Sequence, residues 1–361
     1  MGATSQTVTY STIAALALDK LSDKIADAIS TANAALFFYK KKGNWEGTKS
    51  GGRQLRKTVL YQLQTIRPLG SYGVVNVNPI DSHTSVYFDW VQTAVPVSFS
   101  DMEEFQTSGE ESIESIVKAK YAQAKASLDD FFSRALLQGQ ASIDGSSVGT
   151  PVTSPLDGSY FIDPLFKLAA KTPSASATIG GVDQSTNSWW QNQALACTAT
   201  TLAGFLGNLR SLHTLANRGG GGSDKAPDFH LVDERTYNVY EKALSVFHQN
   251  NSYAKADIPF DNTLFKGSPV VADELMPDLN NSIYPINAST GDGTWFMGNS
   301  AFMGFTYDSG KSFKMGPNIR PNNQLVTSAL MPVRGSHWVS NRRKLAVGHS
   351  IVLETLEAAT S

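Results

Sequence analysis

Cysteine is nearly absent. One residue, Cys197, stands in 361, so no disulfide can close within the chain and no thiolate cluster can hold a metal. A reducing compartment, or indifference to redox, follows. Six histidines, at positions 83, 213, 230, 248, 337 and 349, are scattered without a His-x-x-x-His or His-Glu-x-x-His pair to set two ligands on one helix face. No run of roughly 18 apolar residues exists, which excludes a membrane-spanning helix. The N-terminus lacks a charged region followed by an apolar one, so it reads as non-secretory, and sequons such as Asn287-Ala288-Ser289 read as accidental. Charge is also sparse: 17% of residues are charged and the net charge is -2, which argues against a surface that grips nucleic acid throughout.

Catalytic signatures are missing too. Ser309-Gly310-Lys311-Ser312 ends like a phosphate-binding loop, but Phe305 stands where its first glycine belongs. No Gly-x-Ser-x-Gly elbow is present. Gly219–Gly222 lacks the spaced glycines of a dinucleotide fingerprint, and Asp129-Asp130 point to different faces of a helix. No catalytic, cofactor or metal site is expected, and a structural role is.

What is present is 41% hydrophobic residues over a length that exceeds one ordinary core, so two or three lobes are expected. The chain is organised around Ser108–Gly139. Ser108 and Glu111 have capping-box spacing. Ile113, Ile116, Val117, Ala124, Leu128, Phe131, Phe132 and Ala135 then form one apolar stripe, and Gly139 supplies a stop. Such a helix would be roughly 45 Å long and needs other layers laid along it.

The apolar positions between Ser11 and Phe38 predict a helical arm. Residues 40–67 hold Lys40, Lys41, Lys42, Lys49, Arg53, Arg56, Lys57 and Arg67 against one acid, Glu46, with Gly47–Gly52 as a flexible tip. Val59, Tyr61 and Leu63 alternate as in a strand, as do Val86, Phe88 and Trp90 within Thr84–Gln92. The result is a long hairpin with little sequence nearby to cover it. Since an isolated ribbon is marginal in water, a neighbouring subunit is the favoured cover. Taken singly, the lysines read as a solvated face.

Residues 140–181 are loop-rich, with Tyr160–Ile162 and Leu165-Phe166 as anchors. Trp189-Trp190 could form a sugar platform but reads better as a packed corner. Helices at Thr201–Leu215 and Glu234–Phe247 flank a buried strand, Asp228–Val232, giving an α/β lobe. Phe265–Asp273 reads as one strand entering a loop. Residues 294–352 are mostly β, with a basic cluster of Arg334, Arg342, Arg343 and Lys344 before a last strand, Leu345–Leu353.

The order of parts resembles the major capsid proteins of tailed bacteriophages, with their HK-97-type fold. Four blocks carry the resemblance, which covers roughly residues 11–353. They are Asp89–Gln92 with Val95–Glu104 and Ser108–Glu110; Gly181–Asn192; Phe229–Tyr237; and Phe265–Val271 with Met276-Pro277. It implies an α+β fold with an N-terminal arm (1–40), an extended β-hairpin or E-loop (41–92), a peripheral domain with a spine helix at 108–139 (93–195), an α/β axial domain (196–330) and a closing peripheral strand (331–361). It implies a non-enzymatic coat protein that assembles through pentamers and hexamers into an icosahedral shell around double-stranded DNA, without sequence-specific binding. The place would be the virion, with assembly in the host cytoplasm and no membrane.

An arm that starts almost at once implies a separate scaffolding protein, beside a portal. Some relatives crosslink through a Lys–Asn bond. Lys49 or Lys57 would suit by position, but nothing in the sequence identifies the acceptor. The expected subunit contact pairs Lys49, Arg53, Arg56, Lys57 and Arg67 with Glu103, Glu104, Glu110 and Glu111 of a neighbour. Two alternatives stand: an encapsulin-like compartment, and a carbohydrate-binding module or hydrolase using Trp189 and Trp190.

Overall fold

The computed structural model describes residues 34–41, 44–48, 52–66, 68–69, 71–74, 78, 80–102, 110–139, 162–218, 226–246, 262–280 and 291–359. In chain order, α1 (Ala34–Lys41) precedes β1 (Trp45–Thr48), β2 (Gln54–Leu60), β3 (His83–Asp89) and β4 (Val91–Ser100). The long helix α2 (Glu110–Leu137), the short turn α3 (Leu165–Leu168), the pair β5 (Thr178–Ile179) and β6 (Val182–Asp183), and β7 (Gln193–Ala196) follow. Next come α4 (Leu202–Asn217), β8 (Phe229–Val232), α5 (Glu234–Val246), β9 (Asn262–Phe265), β10 (Ser268–Ala272) and β11 (Gly293–Gly298). The chain closes with β12 (Met303–Asp308), β13 (Val326–Val339), β14 (Ala346–Ile351) and α6 (Leu353–Ala358).

Helix α2 has 28 residues, hence about 42 Å of length. From Tyr121 onward, Tyr121, Ala124, Leu128, Phe132 and Ala135 are buried at three- and four-residue steps; the last four belong to the predicted stripe, Tyr121 joins it, and Phe131 is half-buried. Gly139 stops the helix in the left-handed region at φ 77°, its N–H donating to the Arg134 carbonyl (3.2 Å). The stripe faces a four-stranded sheet ordered β1-β12-β13-β4, where it meets Val97, Phe99, Phe305, Met331 and Val333.

A second, mixed sheet is ordered β7-β14-β11-β8-β10-β9 and is buried beneath α4 and α5. All four residues of β8 are buried, as expected of a strand covered on both faces. The Thr201 hydroxyl caps α4 by accepting the Gly204 N–H (3.2 Å). The buried Asp233 caps α5 through Thr236 N–H (2.8 Å) and also accepts Thr294 N–H (2.8 Å) from β11. The six-stranded sheet thus draws strands from both sides of the expected 330/331 boundary.

Several local expectations change. Gly47 and Thr48, read as the start of a flexible tip, end a strand: Trp45–Thr48 pairs in parallel with Phe305–Asp308, and Trp45 stacks on Phe305 at 4.6 Å. The strand read through Gln92 breaks at Trp90, where β3 leaves the hairpin and β4 enters the four-stranded sheet, pairing with Val326–Gly335. The hydrophobic alternation continues across that break, which hides it. Phe265–Asp273 is not one strand: Phe265 ends β9 and Ser268 begins β10 of a tight hairpin, and Lys266 and Gly267 between them both have positive φ (49° and 87°), the two-residue turn that suits twisted strands. Of the predicted arm helix, Ala34–Lys41 is helical, and positions 11–33 lie outside the described residues.

Candidate assembly surface

The hairpin is where sequence and structure part most. Strands β2 and β3 pair from Gln54↔Asp89 to Leu60↔His83, and Tyr61 N–H extends the ladder to the Ser82 carbonyl (3.0 Å). On the inward face Val86 and Phe88 are buried, with Leu55 and Val59 against the same core. The cover comes from the hairpin's own chain. Gly180, at φ 62° in the β5–β6 turn, accepts Tyr87 N–H (3.0 Å), and a Cβ there would lie 3.1 Å from Val86 Cβ. Tyr61 lies against Trp189 with ring centroids 5.2 Å apart. The favoured expectation, cover by a neighbouring subunit, is therefore corrected at the root, where the hairpin folds onto its own chain.

Beyond the root the expectation stands untouched. Leu63, Ile66, Tyr72 and Val74 are 77%, 92%, 99% and 83% exposed, with Leu60 and Leu69 about half exposed beside them. Leu63, read as an inward strand position, lies past the last ladder pair and faces solvent. Large apolar side chains this open are unusual on the surface of a folded chain. A second, smaller group (Met102, Ile319, Leu325 and Leu330) is exposed near the far end of β4 and β13, beside the Arg320–Asp101 ion pair.

The predicted contact residues divide. Arg53 is exposed; Arg56 is exposed on β2 and donates to the Ser85 hydroxyl (2.7 Å). Lys57 does not join them. It occupies an inward position between Leu55 and Val59, and its ammonium sits 3.5 Å from the centroid of the Trp338 ring. Burial lowers its pKa, and the nearby Glu46 acts the other way. Lys49, Arg67, Glu103 and Glu104 lie outside the described residues; Glu110 and Glu111 open α2, and their side chains are not described.

Behind the hairpin, the Gly181–Asn192 block is a packed corner. Trp190 is buried, and its indole N–H donates to the Ile179 carbonyl (2.9 Å). Asp183 accepts the backbone and hydroxyl of Ser185 (both 2.9 Å), which lowers its pKa. Asn192 holds the Ala170 backbone from both sides, by N–H (3.1 Å) and C=O (2.7 Å).

Arg342, one of the basic cluster before the last strand, ties the corner together from a wholly buried position. Its guanidinium donates to Leu168 O (2.6 Å), Gln184 Oε1 (2.9 Å), Trp190 O (2.9 Å) and Asn192 Oδ1 (3.1 Å). Burial pulls its pKa down to about 9, which still leaves it charged at neutral pH. Lys344 is buried too, donating to the Asn217 carbonyl at the end of α4 (3.3 Å). Among the described residues no group of His, Cys, Asp and Glu side chains is placed to hold a metal, and no helix is long and apolar enough to cross a membrane.

No known family's sequence profile matches the chain. No curated protein matches it in sequence. The structure does have counterparts. Over 86% of this chain and 90% of the other, it is similar to a chain of the cyanophage A-1(L) capsid asymmetric unit, with a TM-score of 0.59 and 14% identity. It is also similar to chains in the capsid of an empty GTA particle (TM-score 0.48, 11% identity, 87% and 90% covered) and of the myovirus XM1 (0.48, 13%, 86% and 91%). The α+β architecture of this chain is thus one that the cyanophage capsid chain also uses.

Proposed function

We propose that this chain is the major coat protein of a tailed phage, assembling through pentamers and hexamers into an icosahedral shell that encloses double-stranded DNA without reading its sequence. The observation that carries the reading is the shared fold with the cyanophage capsid chain over nearly the whole length of both. In HK-97-type terms, residues 1–40 would be the arm, 41–92 the E-loop, α2 the spine of a peripheral domain over 93–195, and 196–330 an axial domain closed by 331–361.

The apolar hairpin tip supports this. A tip and a receiving surface elsewhere on the same chain make a head-to-tail contact, which closes into rings when the rotation allows. Each large side chain buried there contributes about 1.5–3 kcal/mol. Around that apolar centre, Lys49, Arg53, Arg56 and Arg67 would meet Glu103, Glu104, Glu110 and Glu111 of the neighbour. Exposed pairs of this kind are worth about 1 kcal/mol or less each, so they would set register more than strength. A separate scaffolding protein and a portal would complete assembly in the host cytoplasm, and the mature location would be the virion. No catalytic role is proposed.

The test is the double variant Ile66→Asp with Tyr72→Asp. Both side chains are solvated in the single chain, so thermal stability should change by no more than about 0.5 kcal/mol. Self-association in sedimentation velocity should be lost. Normal assembly of this variant would sink the proposed contact. Nuclease-treated particles that hold protein cargo and no DNA would instead favour an encapsulin-like compartment.

A further inference from the structure

Position 57 is where pleat and residue type disagree. Leu55, Lys57 and Val59 share the inward face of β2, and the two flanking residues are the apolar ones that such a face requires. Burying an ammonium there is unfavourable, and a thioether or isobutyl group would pack without that cost.

The lysine lies on a fixed platform. Trp338 is 6% exposed, and its indole N–H donates to the Thr306 hydroxyl (2.9 Å), so the ring cannot follow if the hairpin moves. The one charged group that bears on Lys57 among the described residues is Glu46, on β1, which is itself solvent-exposed. On the other strand, Val86 and Phe88 are buried next to the Gly180 turn. The hairpin root is therefore held through β3 by buried apolar side chains, and through β2 by half-buried Leu55 and Val59 with the cation–ring contact between them.

We infer that Lys57 is a releasable clamp that sets the attitude of the hairpin against the body of the chain. It holds the root well enough to position the tip, and less tightly than an apolar residue would. A hairpin so held can change its angle when the tip meets another surface, without unfolding the root. The clamp lies within one chain, so it operates whether or not copies assemble.

The structure contains its own reporter. Tyr87 N–H bonds to Gly180 outside the hairpin ladder, so its hydrogen exchange follows docking of the root. Exchange at Tyr87 would be measured in the unassembled full-length chain for wild type, Lys57→Met, Lys57→Ala and Lys57→Arg. A cation–ring contact of ordinary strength gives about tenfold faster exchange in K57A. K57M should exchange several-fold more slowly than wild type, and K57R should stay close to wild type because it keeps a cation over the ring. The clamp is refuted if K57M exchanges as fast as wild type or faster, or if K57A leaves the rate unchanged. Circular dichroism on each variant confirms that the body is folded, so a fast rate is assigned to the root alone.

Discussion

Replacing Arg342 probes how the corner behind the hairpin is held. Its four hydrogen bonds join three segments that are distant in sequence: Leu168, the Gln184–Asn192 block and the turn before β14. In Arg342→Ala, Asn192 Oδ1 keeps its bond from Ala170, but Leu168 O, Trp190 O and Gln184 Oε1 lose this donor. An orphaned buried acceptor costs about 1–3 kcal/mol, so the three together cost roughly 3–9 kcal/mol. Removing a buried cation that has no carboxylate partner among the described residues recovers part of this. The expected net loss is about 4 kcal/mol for R342A. R342K, whose single ammonium cannot reproduce the fork, should lose about 2 kcal/mol. Urea unfolding followed by tryptophan fluorescence is the assay, because the guanidinium lies 5.9 Å from the Trp190 ring. If both variants unfold within about 1 kcal/mol of wild type, the knot is not what holds the corner.

Gly180→Ala should destabilise by about 1–3 kcal/mol, since it places a side chain at positive φ and crowds Val86; a thermal midpoint at or above wild type would contradict this. Two buried groups should titrate against each other below neutrality. Burial lowers the His337 pKa to about 4, so its contribution is complete above pH 6.5 and is lost as pH falls from there towards 4. Burial raises the Asp273 pKa to about 6, so its ionisation weakens the fold as pH rises from about 3.8 through 6, and acid restores that stability. Between pH 7 and pH 5 wild type should therefore lose about 1 kcal/mol less than Asp273→Asn, since the other histidines whose pKa burial lowers, His213, His230 and His349, weaken both proteins alike. Equal losses in the two proteins, read from urea midpoints at both pH values, would rule out the opposition.

The longer helices were legible because each carries a strong local pattern, whereas the short ones at Leu165–Leu168 and Leu353–Ala358 were not. The stripe of α2 and its Gly139 stop, and Thr201 before α4, depend on neighbours three or four residues away. What the sequence concealed depends on partners far along the chain. Trp45–Thr48 is a strand only because Phe305–Asp308, some 260 residues later, lies beside it. Lys57 and Arg342 sit in local runs of basic residues, and their burial becomes intelligible only with Trp338 and Gln184 in place. The break at Trp90 leaves no local mark because both strands present apolar residues at alternate positions. For the candidate site, the hairpin and its exposure were readable, whereas the apolar tip was masked by the basic residues around it, which drew attention to ion pairing.

The central claim, that copies of this chain build a closed shell, is tested most directly by negative-stain electron microscopy of the purified protein with light scattering for mass. Closed particles, or rings of five and six that close on concentration or with host lysate, are the predicted result. A species that stays at the 38.9 kDa monomer mass under all those conditions would contradict it.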